Sequence, residues 1–200
     1  MLISLPNKSS VADANFYKNC WGHFLSSANV NKIKLTTIMT EEAYDALMHN
    51  GSLSGDRRKG EMCLFPGFKA AYDWMASQME LRLGRRPYWA RDPLWAWYRL
   101  EGKNAPLDLR ALKNSSNSRC DVFYRVDFIA PVDAVLLSSF EKWHIPLNEV
   151  GKSRKKDVDN YLDDKWQDIF RLGKKTKSIQ ACLWEIRSSW VTRATRHSNS

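Results

Sequence analysis

The chain reads as stretches of apolar periodicity separated by basic, glycine-marked turns. Lys32 to Thr40 is rich in β-branched residues, which predicts a strand. Glu41 to Asn50 places Ala43, Tyr44 and Leu47 on one helical face. Thr40 is a natural N-cap for that helix, Glu41 and Glu42 suit its dipole, and Gly51 is a natural stop. Phe68 to Leu83 repeats apolar residues at helical spacing and ends at Gly84. Pro93 to Leu100 predicts a short aromatic strand, with Trp95 and Trp97 on one face and Ala96 and Tyr98 on the other.

Residues 101–119 read as a loop, Asp121 to Ile129 as a strand, and Val135 to Leu147 as an apolar cluster that includes Trp143. Asp159 to Leu172 predicts an amphipathic helix with Leu162, Trp166, Ile169 and Phe170 inward. Ser178 to Ile186 predicts the last clear strand, with Trp190 and Val191 continuing the sheet and a frayed basic tail from Arg193. Helices and strands do not alternate regularly, so the expected class is α+β and not a doubly wound parallel sheet. The expected divisions are an N-terminal extension over 1–32 with a small helix near Ala12 to Leu25, a domain over 33–195, and a tail over 196–200.

Composition sharpens this picture. A hydrophobic fraction of 44% is enough for a core. Nine tryptophans leave room for both packing and stacking on a flat ligand. Lys and Arg outnumber Asp and Glu by 31 to 22, and the net charge of +9 points to a polyanionic partner such as nucleic acid. No stretch approaches the ~20 apolar residues of a membrane span, and Met1 to Pro6 leads into no apolar leader, so the expected location is the cytoplasm. Cys20, Cys63, Cys120 and Cys182 form no metal-spaced pair, and neither do His23, His49, His144 and His197, so no metal site is expected. Phosphate-loop, dinucleotide-binding, zincin and nucleophile-elbow motifs are absent.

One segment carries a family likeness. Thr37 to Asp56 (TIMTEEAYDALMHNGSLSGD) resembles the opening of the NAD-dependent ADP-ribosyltransferase fold, in the branch with DNA-modifying bacterial toxins and RNA 2′-phosphotransferases. There a strand ending in a His-x-Thr-like motif is followed by a short helix and a Gly-Leu turn. Thr37 falls at the histidine position, and a hydroxyl offers a ribose less reach and no charge. The chain is also similar, over about 33–195, to an uncharacterised bacterial family sharing AYDWM (Ala71 to Met75), PLWAWY (Pro93 to Tyr98), VLLSSF (Val135 to Phe140) and QACLWEI (Gln180 to Ile186). That second likeness supplies no function.

The resemblance implies split mixed or antiparallel sheets with flanking helices, and NAD as substrate. It implies a catalytic glutamate on the closing strand, where Glu185 stands, with Gln180 as a second candidate. These two point to opposite faces of one strand unless a bulge or strand end intervenes. Glu185 could equally be a surface residue facing Arg187 or Arg193. Thr36, Thr37, Gly51 and Tyr98 are then candidates to bind the cofactor, Arg57 and Arg58 its phosphates or a nucleic-acid backbone, and Trp95 and Trp97 its nicotinamide or a target base. Core packing is the alternative for the tryptophans, and a solvated loop for Arg57 to Lys59. Lys59, Arg110, Lys152, Lys155, Lys174 and Lys175 are candidate contacts to nucleic acid.

The function so implied is an ADP-ribosyltransferase toxin modifying nucleic acid, RNA more than DNA, in a toxin–antitoxin or anti-phage system with an antitoxin protein as partner. The alternative is a non-catalytic nucleic-acid-binding module on a degenerate transferase fold, and a third possibility is a protein-interaction factor using exposed aromatics.

Overall fold

The computed structural model describes residues 32–56, 68–107, 122–152 and 164–198, without the side chains of 151, 152, 164 and 165. The expected extension and its helix, Leu162, Arg57, Arg58, Lys59, Arg110 and Lys155 lie outside the described residues.

The first strand, β1 (Lys32–Thr40), buries Ile33, Leu35, Thr37 and Met39 on one face and exposes Lys32, Lys34 and Ile38 on the other. Thr40 leaves β1 extended, and its hydroxyl accepts from Ala43 N at 3.3 Å, which starts α1 (Glu41–Asn50). Gly51 ends that helix at φ 78°, a left-handed conformation costly for any residue with a Cβ. Leu47 is buried, and Tyr44 stacks on Tyr124 with ring centroids 4.0 Å apart.

The remaining elements are β2 (Ser52–Ser54), α2 (Lys69–Leu83), β3 (Leu94–Leu100), β4 (Lys103–Asn104), β5 (Val122–Pro131), β6 (Leu136–Ser139), α3 (Phe140–Lys152), α4 (Asp164–Gln167), β7 (Ile179–Leu183), β8 (Glu185–Arg187) and β9 (Val191–Ser198). Every ladder is antiparallel, and the class is α+β. The large sheet runs β6-β7-β3-β1-β5-β9, with β4 hairpinned onto β3. β1 pairs with β5 along its whole length but meets β3 at one register pair, Thr36 opposite Trp97. Two half-sheets therefore part on either side of that pair.

A helical layer covers the β6-β7-β3 half. Trp74 and Met75 of α2, Trp143 of α3, Trp166 and Ile169 share one core with Cys182 and Trp184. Trp74 meets Trp166 edge-on at 5.1 Å and stacks over Phe170 at 5.8 Å. Ser139 caps α3 by accepting from Lys142 N at 3.3 Å.

Six expectations are corrected. The strand predicted over 178–186 breaks at Trp184. β7 is buried on both faces, whereas Glu185 and Arg187 cannot lie unpaired between two buried layers, so β8 turns away to pair with β2. The apolar cluster over 135–147 divides into β6 and α3. The described part of the 159–172 helix is only the short α4 and a 3-10 turn, although Trp166, Ile169 and Phe170 are buried as expected. The basic segment from Arg193 is no frayed tail: β9 pairs with β5 from Val191 to Ser198, a charged edge strand that a half-solvated sheet accommodates. Trp190 sits in the 3-10 turn before it. Within the loop expected over 101–119, Lys103 and Asn104 form β4.

Candidate functional site

β3 runs antiparallel to both β1 and β7, so the C-terminal ends of β1 and β7 and the N-terminal end of β3 lie at one end of the large sheet. The Gly51 turn and the β2–β8 pair stand at the same end. Thr37 is 7% exposed and donates to the Trp95 carbonyl at 2.9 Å, bridging β1 to β3 where the half-sheets part. Ser188 N donates to the Gly51 carbonyl at 2.9 Å, and Ser54 lies opposite Glu185. The Gly51 turn and Glu185 are thus brought together at one end by topology, with Thr37 further in along β1.

Both carboxylate oxygens of Glu185 are held. Arg187 donates from Nε and Nη2 to Oε1, each at 2.6 Å, and Trp89 Nε1 donates to Oε2 at 3.3 Å. Arg187 also lies over the Trp190 ring at 5.6 Å. The surface contact with Arg187 foreseen for Glu185 is present, but the side chain is only 14% exposed. An oriented carboxylate at this position can stabilise a cation forming beside it.

The other candidates fall elsewhere. Opposed register pairs place Ser138, Gln180, Trp97, Thr36, Asp127 and Arg193 in one row across the same face of the large sheet. Gln180 is 4% exposed, its amide nitrogen has no hydrogen-bond partner among the described residues, and the break at Trp184 separates it from Glu185. The structure does not bring the two catalytic candidates together. Trp95 packs on Trp143 at 5.2 Å and Tyr72 at 5.7 Å, and Trp97 on Phe140 at 4.8 Å, so both take the packing alternative. Tyr98 stands at a β-bulge between Trp97 and Arg99, and the Arg99 guanidinium lies over its ring at 5.9 Å.

Thr36 is fully buried and its hydroxyl is spent: it donates to Asp127 Oδ1 at 2.8 Å and accepts from Leu107 N at 3.2 Å. Arg125 closes the network, donating to Asp127 Oδ2 and to the Leu107 carbonyl, both at 3.1 Å. Thr36 and Thr37 therefore face opposite sides of the sheet and cannot line one pocket. Lys174 and Lys175 are exposed in the turn before β7, at the end of the sheet away from Glu185. Lys152 closes α3.

Sequence reasoning missed two features. One is the Arg125–Asp127 pair, whose i, i+2 spacing on a strand was the available signal. The other is the run Arg85 to Arg91 (RRPYWAR), where arginines are interleaved with aromatics beside Glu185. Tyr88 is 95% exposed and Trp89 48%.

Cys182 is a free thiol whose acidity is suppressed by burial, which raises its pKa far above the ordinary thiol value, so it is no candidate nucleophile. Among the described residues, no group of three His, Cys, Asp or Glu side chains is placed to hold a metal ion, and no helix is long and apolar enough to cross a membrane.

No curated protein and no solved structure matches the chain. The family model described as a domain of unknown function (DUF3841) matches residues 34–163, and the chain belongs to that family.

Proposed function

We propose that the protein is an NAD-dependent ADP-ribosyltransferase whose acceptor is nucleic acid, RNA in preference to DNA. The observation that carries this is a positioned Glu185 beside the Gly51 turn at one end of a split antiparallel sheet, with Thr37 further in on β1 where the half-sheets part. That is the order of parts in the transferases which the opening segment resembles. Glu185 would stabilise the cationic ribose as the bond to nicotinamide breaks, and would orient the acceptor atom that bonds to the ribose carbon. Arg187 and Trp89 keep the carboxylate in place for this task. The carboxylate is the group that fits the ribose cation of the substrate. Such an activity inside a cell would act as a toxin or anti-phage effector and would need a restraining antitoxin partner.

A second reading, a nucleic-acid-binding module that has lost the chemistry, is favoured by one observation. Threonine replaces the family's histidine, and its hydroxyl is engaged by the Trp95 carbonyl. Labelled NAD incubated with RNA, DNA and protein separates the two. Label on RNA supports the transferase. Salt-dependent RNA binding with no label, and no rise in melting temperature on adding NAD, supports the binding module.

A further inference from the structure

We propose that the turn over residues 85–91 is a docking platform for single-stranded nucleic acid, with bases stacking on Tyr88 and Trp89 and flanking phosphates on Arg85 and Arg91; the inference depends on the transferase reading only for what happens after binding. Ala90 N donates to the Pro87 carbonyl at 3.0 Å, closing a β-turn with Tyr88 and Trp89 at its two corners. Corner residues project outward, and these two are the most exposed aromatics among the described residues. The base of the turn is fixed: Ala90 and Asp92 are buried, and Asp92 bridges to Gly55.

The rings are oriented before any ligand arrives. Trp89 is tethered through its indole N–H to Glu185, and Tyr88 meets it edge-on at 4.8 Å and 84°. Little freedom then remains to lose on stacking, which is where preorganised sites gain affinity. Every charged side chain within residues 85–91 is an arginine, and the neighbouring carboxylates of Glu80 and Glu185 are each held by an arginine. Arg86 is committed to Glu80, to the Arg91 carbonyl and to the Trp184 ring. Arg85 and Arg91 are exposed, and their side chains make no ion pair among the described residues. Asp92, which follows the turn, is buried. Two free guanidiniums beside two presented rings match a strand with alternating bases and phosphates. They do not match an apolar peptide, and duplex bases offer no free face to stack on.

The test is a titration of the full chain, without NAD, against labelled oligouridine, oligoadenine and their DNA counterparts at rising KCl. The double variant Tyr88→Ala, Trp89→Ala is expected to bind about 10- to 100-fold more weakly than wild type. Tyr88→Phe with Trp89→Phe keeps most of the affinity, because stacking survives. Arg85→Gln with Arg91→Gln is expected to flatten the salt slope by about 1.4, or ~0.7 per phosphate released. Should the double alanine variant melt early, Tyr88→Ala alone carries the comparison, since its side chain is almost wholly solvated. Wild-type affinity in the alanine variants, or wild-type binding indifferent to salt, overturns the platform. Oligonucleotide binding that behaves as expected in a protein transferring nothing from NAD supports the platform and overturns the transferase reading alone.

Discussion

The middle of the large sheet and the two-stranded sheet at its end treat polar side chains in opposite ways. In the middle, Thr36, Asp127 and Gln180 are buried, and the first two are tied into a closed network with Arg125 and Leu107. At the end, Glu185 is held by Arg187 and Trp89 while rings and guanidiniums beside it face solvent. In the first arrangement the Thr36 hydroxyl and the Asp127 carboxylate are spent on each other, on Leu107 and on Arg125. The second orients a carboxylate and keeps it within reach of a ligand. On the function proposed above, burial with satisfied partners marks the structural polar groups, and orientation with partial exposure marks the chemical one.

Stability measurements sharpen this contrast. The largest effect is expected at Thr36→Val, which keeps the shape but strands the Asp127 carboxylate oxygen and the Leu107 N–H in a buried setting. It should cost about 2–3 kcal/mol in urea unfolding. An unchanged midpoint together with lost NAD binding would move Thr36 into the site and break the comparison. Next is Gln180→Met, which exchanges an amide whose nitrogen is unpartnered for an apolar chain of similar volume. It should be neutral or stabilising by about 1 kcal/mol, with transfer activity retained. Loss of activity would restore Gln180 as a catalytic candidate.

The smallest effect lies at Glu141. Burial pulls its carboxyl pKa up, but hydrogen bonds from its own backbone N–H, the Ser139 hydroxyl and Ser178 outweigh that and leave it lowered. A lowered folded pKa means that the contribution is full above the unfolded value of about 4.3 and is lost as pH falls through the lowered one. Glu141→Gln should therefore melt below wild type at neutral pH, and the gap should close on acidification. A gap that persists unchanged in acid would contradict this.

How legible all this was depended on how local each signal was. The β1–α1–Gly51 unit follows from a β-branched run, a capping threonine and a glycine, and these act within a few residues. α2 and its inward Trp74 follow from helical spacing. The break at Trp184 was not legible, because strand alternation does not say which partner the chain will pair with after Leu183. The role of Thr36 was hidden for the same reason: its acceptor, Asp127, comes from another strand. β9 was misread because a basic, polar segment looks frayed until an edge-strand position gives its charges solvent. At the candidate site, Glu185 was visible as the only carboxylate of its stretch, but its tryptophan partner came from a turn that looked like mere punctuation after α2.

The central claim is that Glu185 is held for chemistry and not for folding. Glu185→Gln keeps the hydrogen-bond acceptor facing Trp89 or Arg187 and removes the charge. Transfer of label from NAD to RNA should fall by roughly 10²-fold or more, the scale of removing one preorganised electrostatic group. The melting temperature should move little, because the half-exposed Arg187 stays solvated without its ion pair and the glutamine carbonyl still accepts a hydrogen bond. A variant that transfers label at the wild-type rate, or one that unfolds while the wild type never transfers label at all, would contradict the account.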